Sequence, residues 1–259
     1  ARDDLVRAIR EAEVLDLQHA HAARRAAARN DRFWKRNMGE SMYHYIFFDL
    51  DGTLTDSKEG ILNCLRYAFE KLGKPVPPEA ALIKFIGPPL QDSFVDPGGC
   101  TREEALAGIE AFRERYEPVG KFENVPAPGL PELCARLKKD GYVMALASSK
   151  PENLCVDICR RFGYTPSFSA VTGSPLHGDH SKADIIRETI RRLGLTDAEK
   201  PQIQMVGDRK YDVAGAKECG IDCVGVEFFG YAAPGELAEA GAVAVVRSAA
   251  ELEEFIRTH

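Results

Sequence analysis

Two acids fix where the chemistry of this chain must be sought. Asp49 and Asp51 flank Leu50 at the end of the apolar run Tyr45-Ile-Phe-Phe48, and Gly52 follows at once. Carboxylates this close repel each other unless a cation or a shared proton relieves them, so the pair suggests a bound Mg²⁺, a general acid, or both. The plain alternative is a strand that ends in an Asp-Gly turn, because both residue types are ordinary turn formers. A second acidic pair, Asp208 and Asp212, follows Gly207 after the strand-like run Gln202 to Val206. Asp208 would cap that strand and Asp212 would fall near the start of the next helix, so both carboxylates can point into one crevice. As metal ligands they make a site; as a helix N-cap, one of them makes none.

Two further groups suit an anionic substrate. In Ser148-Ser149-Lys150-Pro151 a hydroxyl and the backbone amides at a helix start can hold an anionic oxygen. Lys182 opens another helix, where its charge works against the helix dipole at a cost of ~0.3–1 kcal/mol, and it could supply a positive charge beside a nucleophile. Lys150 competes with it for that role, and a surface lysine is the alternative. His177 and His180 lack a partner cluster and are expected to be loop histidines. The seven cysteines, without zinc-ribbon spacing, are expected to be buried reduced thiols.

The elements that must position these residues alternate. Tyr45 to Phe48 is apolar throughout, as a strand buried on both faces of a parallel sheet would be. From Leu130 onward helix-like and strand-like runs alternate, with strands at Tyr142–Ala147, Phe168–Thr172, Gln202–Val206, Ile221–Val226 and Ala242–Val246. That pattern predicts an α/β fold, a doubly wound Rossmann-like parallel sheet whose ligands lie at the carboxyl ends of its strands. Residues 58–126 read as helical with no strand among them. Ile61, Leu62, Leu65, Ala68, Phe69 and Leu72 recur at helical spacing, and Gly73 and Pro75 stop the run. The prediction is an inserted helical cap domain at 58–126 between core segments 42–57 and 127–259, with Pro126-Ala-Pro-Gly129 as the return hinge. Phe85, Phe94 and Tyr116 are expected to be its core, stacking on a base being the alternative.

Residues 1–41 form an Ala- and Arg-rich basic extension, read as a solvated helix or a leader foreign to the domain, with a partner-binding arm as the alternative. Met42 is where a domain of this kind would be expected to begin. With 259 residues, 44% of them hydrophobic, the chain can bury a substantial core. Its net charge of −6 gives no electrostatic case for nucleic acid as the main partner. No apolar run approaches the ~20 residues that span a bilayer, and the expected compartment is the cytoplasm.

The string Asp49-Leu-Asp51-Gly-Thr53-Leu-Thr-Asp56-Ser57 resembles the first motif of the haloacid dehalogenase-like (HAD) hydrolase superfamily, in its phosphatase branch. Ser148, Lys182 and Gly207-Asp208-x-x-x-Asp212 follow in that family's order, and the likeness covers about residues 43–257. Gly87-Pro-Pro-Leu90 and Gly225-Val-x-Phe-Phe-Gly230-Tyr231 look like the phosphoglycolate phosphatase-like subgroup, whose helical insert is a mobile cap. One departure is Ser148-Ser149-Lys150, where that subgroup often has Thr-Asn-Lys.

The resemblance implies Mg²⁺-dependent hydrolysis of a small phosphorylated metabolite through an aspartyl-phosphate. It makes Asp49 the nucleophile and Asp51 the general acid and base. Mg²⁺ would be held by Asp49, Asp208 and the Asp51 carbonyl, with Asp212 orienting Lys182 or a water behind them. Gly52, Thr53, Ser148, Ser149, Lys150 and Lys182 would hold the phosphoryl group. A β-phosphoglucomutase-like phosphomutase is the nearest alternative. Relatives of that kind present a His from the first cap helix, and Lys58 to Lys71 contains none. A regulatory binding module with vestigial turnover is a third reading, against which stands the complete set of catalytic residue types.

Overall fold

The computed structural model describes residues 42–88, 90–175 and 180–259. The basic extension 1–41, His177 and Pro89 lie outside the described residues. Six parallel strands form the central sheet: β1 (Tyr45–Phe48), β4 (Val143–Pro151), β5 (Phe168–Ser174), β6 (Ile203–Gly207), β7 (Asp222–Val226) and β8 (Ala244–Val246). Their order is β5-β4-β1-β6-β7-β8. The chain runs outward from β1 on one side through β4 and β5, then returns to lay β6, β7 and β8 on the other. Direction therefore reverses beside β1, which is where an open α/β sheet opens a crevice at its carboxyl end.

The apolar run of β1 divides by parity, as a strand buried on both faces must. Ile46 and Phe48 join one cluster with Leu133 and Leu137, Ile158, and Leu252 and Ile256. These come from helices spanning Leu130–Lys139, Glu152–Arg161 and Ala249–Thr258. Tyr45 and Phe47 join a second cluster with Ile185, Ile186, Val213 and Ala216, from Lys182–Arg192 and Lys210–Cys219. A strand clamped this way has little freedom to shift register, so the residue that follows it is placed firmly.

Between β1 and β4 the chain makes a helical insert: α1 (Lys58–Lys71), α2 (Glu79–Leu82), α3 (Leu90–Val95) and α4 (Arg102–Tyr116). Thr101 caps α4, its hydroxyl accepting from Glu104 N at 3.2 Å while the Glu104 carboxylate accepts from Thr101 N at 2.8 Å. That is the reciprocal satisfaction of two orphan helix donors. The insert has its own apolar cluster, with Leu62, Leu65, Phe69, Leu82, Phe85, Phe94 and Phe112 at its centre. Phe85 and Phe94 are 2% and 0% exposed and meet edge to face at 5.4 Å, so both are core.

The expectation of no strand in residues 58–126 needs correction. β3 (Val125–Pro126) pairs antiparallel with β2 (Thr55–Asp56), Thr55 opposite Pro126 and Asp56 opposite Val125. The entry to the insert and the exit from it thus lie side by side. Two residues are too few to show a strand period.

Candidate active site

The carboxyl ends of three adjacent strands bring the expected residues together. Asp49 leaves β1 still tied to the sheet, its N–H donating to Val206 O at 2.9 Å. The next residues fold back at once: Thr53, Leu54 and Thr55 all donate backbone N–H groups to Leu50 O. Gly52 makes this turn with φ +82°, and a Cβ there would stand 2.1 Å from Asp208 Oδ2. No side chain fits at that position. Gly207 ends β6 under the same constraint, because a Cβ would fall 2.3 Å from Cγ of Asp212. The two glycines let three carboxylates and a tight turn share one space.

Lys182 lies at the centre of the acids. Its ammonium donates to Asp49 Oδ1 at 2.5 Å and contacts Asp212 Oδ1 at 2.7 Å, with only 6% of the side chain exposed. Lys150 is equally buried but takes a different partner, Asp51 Oδ2 at 2.5 Å. The two lysines thus divide the two acids of the first motif between them. Burial opposes the charge on Lys182, yet Asp212 and Asp49 hold its pKa above that of an ordinary lysine. Burial opposes the charge on Lys150 likewise, and the Asp51 carboxylate holds it protonated.

Oxygens of Asp49, Asp208 and Asp212 lie within 4.8 Å of one another. Burial pushes the Asp49 carboxyl up to about 6; Lys182 pulls it down, while Asp212 and Asp51 push it further up. Burial, with Asp212 and Asp49 beside it, drives Asp208 well above the ordinary carboxyl range. Thr53 donates to Asp208 Oδ1 at 3.3 Å, but Asp208 Oδ2 is buried with no hydrogen-bond partner among the described residues. An orphaned carboxylate oxygen among crowded oxygen donors fits a hard divalent cation, which would supply the missing partner and relieve the repulsion.

The remaining expected residues fall around this centre. Ser148 is 2% exposed, and its hydroxyl accepts from Lys150 N at 3.4 Å. Ser149 is exposed, and Thr53 is fully buried. Asp212 sits in the first turn of the helix Lys210–Cys219 and accepts from Arg209 N at 3.1 Å, so it serves the helix end and Lys182 together. His180 is exposed and is absent from the acidic cluster.

Contacts that the sequence did not announce join this centre to the insert. Arg209 donates to Ile86 O at 2.5 Å and to Glu236 Oε1 at 2.9 Å. Tyr231 donates to Asp56 on β2 and packs on the insert's apolar cluster. Lys121 reaches Asp157 at 2.6 Å. Tyr116, the last residue of α4, lies under the Lys150 ammonium, 4.8 Å from ring centroid to Nζ. The only prior signals were indirect: Arg209 stands between the two acids of the last motif, and Tyr231 closes the run from Gly225.

Residues 46–226 match the family described as haloacid dehalogenase-like hydrolase. The chain belongs to this family. It is 36% identical over 218 residues to a 5′-nucleotidase from Pseudomonas aeruginosa, covering 84% of this chain and 97% of that protein. It is 35% identical over 212 residues to the tyrosine-protein kinase PtkA of Mycobacterium tuberculosis, covering 81% of this chain and 70% of that one. A solved structure of a predicted phosphatase from Clostridium acetobutylicum matches with a TM-score of 0.77 and 37% identity, covering 83% of this chain and 99% of that one. Among the described residues no helix is long and apolar enough to cross a membrane.

Proposed function

We propose that this chain, a phosphoric monoester hydrolase by family, hydrolyses a small phosphomonoester through a phosphorylated Asp49. The substrate would be phosphoglycolate-like, a nucleoside 5′-monophosphate or a sugar phosphate, and the helical insert, residues 58–126, would be the cap over it. The observation that carries this reading is the division of the two lysines. Asp49 and Asp51 stand two residues apart yet sit in separate ion pairs, one with Lys182 and one with Lys150. Two carboxylates in different surroundings can take different roles.

Asp49 attacks phosphorus, replacing one hard displacement with two easier ones. Asp51 gives a proton to the leaving oxygen and then takes one from the attacking water. Ser148, Ser149, Lys182 and the amides of Gly52 and Thr53 hold the phosphoryl oxygens as charge builds on them, while Lys150 holds Asp51. Asp212 keeps Lys182 directed at Asp49. A Mg²⁺ ion held by Asp49, Asp208 and the Asp51 carbonyl would screen the repulsion between carboxylate and phosphate. Seven buried, unpaired cysteines support a reducing compartment such as the cytoplasm.

The test is phosphate release from a panel of phosphoglycolate, nucleoside monophosphates, sugar phosphates and an aryl phosphate, with and without EDTA. Turnover that disappears with EDTA and in Asp49→Asn supports the reading. Turnover that survives Asp49→Asn overturns it. The kinase name of the mycobacterial relative makes released inorganic phosphate, rather than loss of substrate, the quantity to follow.

A further inference from the structure

Lys150 and Asp51 belong to the sheet, but the group that covers them belongs to the insert. Tyr116 ends α4, 2% exposed, with its ring stacked on Phe112 at 5.0 Å. The opposite requirement on the ring is met by Lys150, whose ammonium stands 4.8 Å from the centroid while it reaches Asp51 at 2.5 Å. A cation this near an aromatic face is attracted by the ring quadrupole, most strongly where water is excluded. Among the described residues the Tyr116 hydroxyl makes no hydrogen bond of ordinary geometry, and burial keeps the phenol protonated. The contact of well-formed geometry between the two residues is that of the ammonium with the ring.

Lysine is a flexible point charge with several rotamers open to it, and one carboxylate oxygen does not select among them. Among the described residues Asp51 Oδ1 is buried without a hydrogen-bond partner, and it is Lys150, on Oδ2, that holds the orientation of that carboxylate. The neighbouring thiol of Cys155 donates to the Lys150 carbonyl at 3.4 Å. Besides the Asp51 carboxylate, the contact that directs the ammonium is the ring of Tyr116.

We propose that Tyr116 is a positioning residue that acts through Lys150 to aim the Asp51 carboxyl, so that proton donation is ready only when the insert is seated on the sheet. This rests on the role given to Asp51 above. It ties the position of the insert to one chemical step, proton transfer to the leaving oxygen, and leaves the attack by Asp49 untouched. The consequence is selective. A substrate whose leaving group is a basic alkoxide needs that proton, and an aryl phosphate with an acidic phenol leaves without it.

The experiment compares an alkyl phosphate with 4-nitrophenyl phosphate for the wild type, Tyr116→Phe, Tyr116→Leu and 3,4,5-trifluorophenylalanine at position 116. The fluorinated ring keeps the shape and packing and removes the negative face, which covers the case of a Leu variant that fails to fold. The expected result is a loss of roughly tenfold in kcat on the alkyl phosphate for the Leu and fluorinated variants, with little change on the aryl phosphate. Tyr116→Phe should stay within about twofold of wild type on both, because it keeps the π face. In a Lys150→Met background Tyr116→Leu should cost nothing further on the alkyl phosphate. Equal losses on both substrates, a Phe variant as impaired as Leu, or additivity with Lys150→Met would overturn the proposal. Asp49→Asn is the separate control: retained turnover there would overturn the phosphatase reading itself. Asp49-dependent turnover without selectivity would sink the Tyr116 role alone.

Discussion

The carboxyl end of the sheet and the helical insert solve opposite problems. At the carboxyl ends of the strands four acids and two lysines are crowded together, Asp49, Asp51 and Asp212 each held by a lysine, and the backbone beneath is fixed by two clusters on either side of β1. The insert is an apolar bundle held by its own aromatic rings, and it touches the sheet's site through a few groups: a carbonyl, a ring and a lysine. Charged groups must be positioned to fractions of an ångström to do chemistry, and that needs a rigid support. Under the proposed function, a cover needs only to fit and to leave. The difference teaches that the acidic site and the insert rest on separate packing units in this chain.

The largest test of this division is Asp49→Asn, which should lower kcat by on the order of 10³-fold or more on every substrate alike. A loss confined to some substrates would place Asp49 in recognition instead. Next, Phe94→Ala empties the centre of the insert and should cost about 3–5 kcal/mol. Its mark should be faster amide exchange in residues 58–116 while amides of β1, β4 and β6 stay protected. Equal loosening of the sheet would mean that the two regions are one cooperative unit.

The pH dependence of stability sharpens the electrostatic half. Asp49 has its pKa raised from 3.8 to about 6, so its protonated form favours the fold. That contribution is fully present below the unfolded value and is lost as pH rises through about 6. Thermal melting in EDTA should therefore show the wild type losing stability, relative to Asp49→Asn, between pH 4 and pH 6.5. Added Mg²⁺ should raise the melting temperature of the wild type more at pH 7.5 than at pH 5. A parallel response of the two proteins across that range would sink the argument. The smallest effect is expected at the rim, where Lys121→Met removes a partly buried pair with Asp157. It should change KM by at most about fivefold and leave kcat unchanged.

The same division explains what could be read in advance. Asp49, Asp51, Ser148 and Asp208 stand at or near strand ends, where an apolar run stops, and Lys182 and Asp212 stand in the first turns of helices. The second strand was expected to stop at Ala147; β4 runs on to Pro151, carrying Ser148 and Lys150 with it. Lys150 and Lys182 could not be told apart by type, only by the partner each one finds. Tyr116 read as helix core, which half of it is, since one face meets Phe112. Nothing in a helical period says that the other face meets a lysine 34 positions later. The β2–β3 pair escaped for the opposite reason, being too short to carry any pattern.

That short pair has a consequence of its own. Because Thr55–Asp56 and Val125–Pro126 run side by side, everything between them is stitched in at a single seam. A different bundle could be spliced at that seam without redrawing any strand of the sheet, keeping the reaction and exchanging the gatekeeper. Replacement of residues 58–123 by the corresponding segment of another family member would be a direct route to new selectivity, as a lock changed on an unaltered door.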